Sequence, residues 1–217
     1  MLQLFAHPFS SYCQKVLIAL YENHTVFELR MLDGAHEANC AELAARWPLR
    51  KFPILVDGDR TILETSTIIE HLQLHHPGAR PMIPADPDAA IDVRMMDRIF
   101  DNYVMHAMQG PVFDSLRPEA DRYPRAMADA VAALDTVYAW LDARMAGREW
   151  AAGAFSLADC AAAPSLFYAD WVHPIAEQWT NLIAYRARLL SRPSVARAVD
   201  EGRPYRHFFP LGAPDRD

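Results

Sequence analysis

The sequence predicts an α/β unit built on a mixed sheet, followed by an all-helical unit. Three observations carry this reading. Apolar residues switch between a period of two and one of about 3.6 over residues 1–76, in the order β-α-β-α-β-β-α. The run HHPGARPMIPADP then gathers Pro77, Gly78, Pro81, Pro84 and Pro87, and can be neither a helix nor a central strand. Beyond it, strand signals stop. The predicted limits are 1–76 for the α/β unit, 77–86 for the linker and 87–217 for the helical unit.

Leu2 to Ala6 alternate as a first strand, and SSYCQKVLIALYEN follows with Val16, Leu17, Leu20 and Tyr21 at helical spacing. TVFELRML reads as a second strand through Val26, Phe27 and Leu29, and EANCAELAARW as a helix. In KFPILVDGDRTILET two short apolar runs flank Asp57-Gly58, a strong hairpin signal. TSTIIEHLQLHH closes the unit as a helix. After the linker, Asp86-Pro87 suit an N-cap and first helical residue, opening a helix with Ile91, Met95, Ile99, Tyr103 and Ala107 on one face. Met127, Val131, Leu134, Tyr138, Leu141 and Met145 form a second stripe. Further helices are expected at Ser156 to Tyr168, Asn181 to Leu190 and Ser194 to Glu201.

Bulk properties exclude several classes. A hydrophobic fraction of 52% over 217 residues is enough for a packed core without staples. A net charge of −7 argues against a nucleic-acid binder. The late arginines Arg186, Arg188, Arg192, Arg197, Arg203 and Arg206 read as a solvated helix face. Cys13, Cys40 and Cys160 are odd in number and unpatterned, so neither a disulfide framework nor a zinc motif is expected, and a reducing cytoplasm fits. No secretory signal is visible, and FSLADCAAAPSLFYADWV, interrupted by Asp159, Pro164 and Asp170, reads as a buried helix rather than a membrane span. Nine histidines show no metal-ligand spacing, and GxSxG, P-loop and GxGxxG motifs are absent.

Four motifs give the chain a resemblance. SSYCQKV sets hydroxyls where a strand meets a helix N-terminus, a place that favours a thiolate. KFPIL, LETSTIIEHL and GAFSLADCAAAP follow at the third strand, the third helix and within the helical unit. Together they resemble the glutathione transferase superfamily, in particular its serine-type zeta-, theta- and delta-like bacterial cytosolic members. The resemblance implies a thioredoxin-like first domain that binds glutathione, a helical second domain with the co-substrate pocket, and a homodimer.

By that resemblance Ser10 donates to the glutathione sulfur, with Ser11 as the alternative; Ser10 is equally suited to be a helix N-cap. Cys13 reads as a small helix residue facing the sheet rather than a catalytic thiol. Phe52 and Pro53 match the loop that pairs its backbone with the cysteinyl unit, the proline being cis in the family; Pro53 also suits a strand start. Upstream, Trp47 and Arg50 depart from the family's Asn-Pro-x-Gly. Glu64 would hold the γ-glutamyl ammonium and Thr65 its carboxylate, while a plain cap is the competing role for Thr65. Ser156 and Asp159 match a structural capping box.

Met96, Tyr103 and Trp171, with Phe167 and Tyr168, are the expected wall of an apolar co-substrate pocket. The implied activity is conjugation of the glutathione thiolate to small apolar electrophiles, with glutathione as co-substrate and neither metal nor redox cofactor. Two alternatives stand beside it. One is a glutathione-dependent isomerase of maleyl-type compounds, where zeta-like members carry Cys at the position of Tyr12. The other is a non-catalytic interaction module.

Overall fold

The computed structural model describes residues 1–217. Strands β1 (Leu2–Ala6), β2 (Phe27–Met31), β3 (Ile54–Asp57) and β4 (Arg60–Ile62) form one mixed sheet in the order β2-β1-β3-β4. β1 runs parallel to β2 and antiparallel to β3, and β3 runs antiparallel to β4. Helices α1 (Ser11–Glu22), α2 (Glu37–Arg46) and α3 (Thr65–His75) alternate with the strands as expected. Asp57 pairs with Arg60, so the hairpin's central residues are Gly58 and Asp59, one position later than the Asp-Gly signal suggests. Only Gly58 has a positive φ, at 58°, a value glycine adopts without a Cβ penalty.

Strand alternation sorts the core. Phe5, Ile54 and Val56 face α2 with Leu32 and Leu43. Leu4 and Leu55 face the other way, into a core shared with α1, α3 and the helical unit. Helix α1 lies between the sheet and the helical unit, so Cys13 through Leu20 are all buried. Its N-terminus therefore opens at the junction of the two units.

The helical unit comprises α4 (Pro87–Ile99), which runs through a π-helical stretch at Phe100–Met105 into α5 (His106–Ser115), then α6 (Ala126–Met145), α7 (Leu157–Val172), α8 (Thr180–Ser191) and α9 (Pro193–Gly202). Asp86 caps α4 and its side chain accepts from the Ala89 N–H at 2.8 Å. The linker docks through Asn23, whose amide exchanges two 2.9 Å hydrogen bonds with the Arg80 backbone. A Cβ on Gly78 would lie 2.3 Å from the Asn23 side chain, so this approach requires glycine.

Two expectations are corrected here. The buried face of α4 and its π-helical continuation is Ala90, Val93, Met96 and Phe100, while Ile91, Met95 and Tyr103 face solvent. A step of four residues advances about 400° on an α-helix, so a row built only of fours drifts round the axis. The buried row begins with steps of three. The π stretch then widens the turn, and Phe100, Val104 and Met108 stay on one face at steps of four. The second stripe holds from Leu134 to Met145, with Met127 exposed.

The late arginines are a solvated face only in part: Arg197 and Arg203 are exposed, whereas others are drawn into ion pairs with the rest of the fold. Arg192 is 17% exposed and pairs with Glu22 of α1, and Arg186 is 14% exposed and pairs with Asp170 of α7 at 3.3 Å. Arg203 and Arg206 both pair with Asp217, fastening the C-terminus.

The Ser156–Asp159 box is present and buried. Asp159 accepts from the Ser156 N–H at 2.9 Å, the Ala151 N–H at 3.0 Å and the Tyr185 hydroxyl at 2.6 Å. Burial raises the Asp159 carboxyl above its usual range, partly offset by those donors.

Candidate active site

Two adjoining cavities sit where the units meet, sharing Tyr12, Lys51 and Phe52. The larger, about 470 Å³, is walled by Phe9, Met108, Val112, Phe113, Tyr168 and Phe209, with Ser10 and Ser11 on its floor. The smaller, about 330 Å³, holds Phe52, Pro53, Glu64, Thr65, Arg98 and Asp101.

Ser10 is the N-cap of α1, and its Oγ accepts from the Cys13 N–H at 3.4 Å. That bond uses an oxygen lone pair and leaves the hydroxyl proton free to donate. The loop ahead of Ser10 is braced from both sides: from the helical unit the Tyr168 hydroxyl donates to the Phe9 carbonyl at 2.7 Å, and from α1 itself Gln14 Nε2 donates to the Pro8 carbonyl at 3.0 Å. Cys13 is fully buried, and burial pushes its thiol up to about 12, so it is not a nucleophile at neutral pH. Burial, then the nearby Asp101 charge, pushes Tyr12 up to about 12.

The Phe52–Pro53 peptide bond is cis. Neither the N–H nor the C=O of Phe52 has a partner within the protein, so these backbone groups, in a residue that lines both cavities, are open to a ligand. Glu64 has φ +64°, a left-handed conformation that costs a non-glycine residue about 1–3 kcal/mol and is typical of ligand sites. No side chain caps α3, so the Thr65 and Ser66 N–H groups remain open at a helix N-terminus. Ser66 itself turns away: its hydroxyl donates to Asp97 Oδ2 at 2.7 Å and accepts from Lys15 Nζ at 3.1 Å. Of the two hydroxyl residues that open α3, Thr65 faces the cavity.

Behind the smaller cavity lies a buried charge network. Lys15 Nζ is 2.6 Å from Asp97 Oδ1 and 2.7 Å from Asp101 Oδ2, and Arg98 reaches both carboxylates. Burial raises the Asp101 carboxyl, and Lys15 opposes that rise. Sequence reasoning missed Lys15, Arg98 and Asp101. The available signal was a lysine inside an apolar helix, a placement that requires a counter-ion.

The structure brings Ser10, Ser11, Phe52, Pro53, Glu64 and Thr65 around the two cavities. It does not bring Met96, Tyr103 or Trp171 there. Met96 is buried in the core, and Tyr103 is 62% exposed on another side of the helix, because the π stretch breaks the heptad relation between them. Trp171 stands one layer back, its ring 6.4 Å from that of Phe9 and 5.2 Å from that of Phe209. Tyr168, one of the wider set expected from sequence, does line the larger cavity.

A sheet of this order with a helical unit closing over the start of α1 defines a thioredoxin-like domain joined to a helical domain. Residues 4–80 match the glutathione S-transferase N-terminal domain and residues 119–188 the corresponding C-terminal domain. The chain belongs to the glutathione S-transferase superfamily. It is 34% identical over 74 residues to glutathione S-transferase F6 of Arabidopsis thaliana, a match spanning 33% of this chain and only 35% of that protein. It is 23% identical over 200 residues to the stringent starvation protein A homolog of Coxiella burnetii, covering 91% of each. Among solved structures, a Methylobacterium radiotolerans glutathione S-transferase in complex with glutathione sulfonate is 29% identical with TM-score 0.77, covering 91% of this chain and 94% of that one. Glutathione transferase F7 of Populus trichocarpa superposes with TM-score 0.80 at 21% identity over 93% and 99%, a likeness of fold. No helix is long and apolar enough to cross a membrane.

Proposed function

We propose that this chain is a glutathione transferase that conjugates the glutathione thiolate to small apolar electrophiles. The observation that carries this is the convergence of a free serine hydroxyl, unpaired backbone groups and an uncapped helix N-terminus on two adjoining cavities. In this reading Thr65 and the open N–H groups of α3 hold the γ-glutamyl carboxylate, and Glu64 holds the ammonium. Phe52 pairs with the cysteinyl backbone beside Pro53, and Lys51, shared by both cavities, meets the glycyl carboxylate. Ser10 donates to the sulfur and keeps it as thiolate, with Ser11 the alternative donor. The electrophile lies among Phe9, Met108, Val112, Phe113, Tyr168 and Phe209, where its carbon accepts the sulfur lone pair as the leaving group departs or a double bond opens. Holding both reactants in one cleft makes the encounter effectively intramolecular.

The homodimer that the family resemblance implies would have the exposed apolar residues Ile91, Met95 and Tyr103 of α4 and its continuation, with Leu74 of α3, available to cover. Analytical ultracentrifugation showing only monomer would reject it. The free state of Cys13, Cys40 and Cys160 suits a reducing cytoplasm.

Calorimetric titration with glutathione and a turnover screen over haloalkanes, epoxides, enals and maleyl acids test the whole reading. Saturable binding with conjugation supports it. Binding with isomerisation of maleyl acids alone replaces it with the isomerase, and no binding leaves a non-catalytic interaction module.

A further inference from the structure

At the far end of α3 from Thr65, three side chains with metal-ligating atoms come together. Asp57, His71 and His76 place one donor atom each within 4.8 Å of one another. His71 Nε2 lies 3.0 Å and His76 Nε2 2.7 Å from the same oxygen, Asp57 Oδ2. No ligand spacing in the sequence announces the cluster, because it depends on two backbone events. The first is strand alternation: Leu55 faces the core that contains Ile68, Ile69 and Leu72 of α3, so Asp57, two residues on, points to the same side. The second is the end of α3. In a continuous helix residues 71 and 76 would point about 140° apart. Pro77 disfavours the helical conformation at His76, which instead adopts φ −135° and ψ 54° and swings its ring back beside that of His71.

We propose that Asp57, His71 and His76 form a binding site for a divalent transition-metal ion of the zinc class. Two imidazoles and one carboxylate are a donor set such ions take with an open fourth position. Donor atoms around tetrahedral zinc stand about 3.4 Å apart; the two His–Asp57 spans of 3.0 and 2.7 Å would open by less than about 1 Å, and the two imidazole nitrogens already lie within 4.8 Å of one another. His71 is buried and anchors the inner side, whereas Asp57 and His76 are 28% and 34% exposed and leave a path for the ion and for a water ligand. The bound ion would replace two N–H···O hydrogen bonds by coordinate bonds and clip the β3–β4 hairpin to the end of α3. Measured along α3, its ligands stand about 9 Å (His71) to about 16 Å (His76) from Thr65, so it serves the fold rather than the reacting sulfur.

The test uses the full chain without an affinity tag, stripped with a chelator, then titrated with Zn²⁺ by calorimetry and with Co²⁺ by visible absorption. The expected result is one saturable equivalent per chain, a visible cobalt band, and a melting temperature that rises with zinc concentration. His76→Gln and Asp57→Asn should each weaken binding about tenfold or more while glutathione binding is unchanged. His75→Gln, which removes the neighbouring exposed imidazole, should leave it intact. The proposal is overturned by absence of saturable binding at millimolar metal or by undiminished affinity in His76→Gln. It is equally overturned if Cys40→Ser alone abolishes binding, which would place the ion on the surface loop of Asp33, His36 and Cys40.

Discussion

Replacing Ser10 by Ala separates two roles of one hydroxyl. As N-cap it accepts only a long 3.4 Å bond from the Cys13 N–H, so its loss should cost stability near the low end of the capping range, about 0.5 kcal/mol. As a donor to a thiolate it makes a hydrogen bond to a charged group, worth about 1.5–3 kcal/mol. At 1.36 kcal/mol per pKa unit that is a rise of about one to two units in the bound thiol. At neutral pH the thiolate fraction, and turnover with it, should then fall about tenfold to a hundredfold. Glutathione affinity should change little, because Phe52, Glu64 and Thr65 are untouched. Thiolate absorbance of the bound tripeptide against pH reads the pKa, urea unfolding reads the cap, and turnover should recover toward wild type in alkaline buffer. An unmoved thiol pKa refutes the role of Ser10; a shift seen only in Ser11→Ala transfers it to Ser11.

The buried network makes a larger prediction about stability: Lys15→Met strands Asp97 and Asp101 with Arg98 as their remaining cation, and should cost about 3–5 kcal/mol, read as a lower urea midpoint. Ser156→Ala removes one half of the buried capping box and should cost about 0.5–2 kcal/mol, without altering thiol ionisation. Glu22, held by Arg192, Ser194 and Arg80, has its carboxyl below the ordinary 4.5 because those partners outweigh its burial. A folded-state value below the unfolded one stabilises the protein above about pH 4.5, and this contribution fades as the pH falls through the folded value. Glu22→Gln should therefore flatten the acid limb of a stability-against-pH curve, and an unchanged limb would remove Glu22 from the account.

Much of the architecture could be read from short-range chemistry. The Pro-rich run marked the linker, Asp86-Pro87 the start of α4, and Ser156 with Asp159 the start of α7, because caps and prolines act within a turn of themselves. The hydroxyl pair at the start of α1 and the Glu64-Thr65 pair at the start of α3 were legible for the same reason, each lying at a helix N-terminus whose open N–H groups define its chemistry. What lines the larger cavity was not legible. Met96 and Tyr103 share a heptad relation on paper, and a π stretch between them turns one into the core and the other to solvent.

The sequence by itself determined the order of elements, the linker and the hydroxyl, proline and acidic positions of the proposed glutathione site, since each is set by the residue and its immediate neighbours. Only the tertiary structure decided that Thr65 rather than Ser66 faces the cavity, that Lys15 is neutralised by two aspartates from α4 and its π-helical continuation, and that Asp57 meets two histidines. Those outcomes depend on side chains distant in the chain being packed within about 3 Å, where desolvation forces every buried charge to find its counterpart.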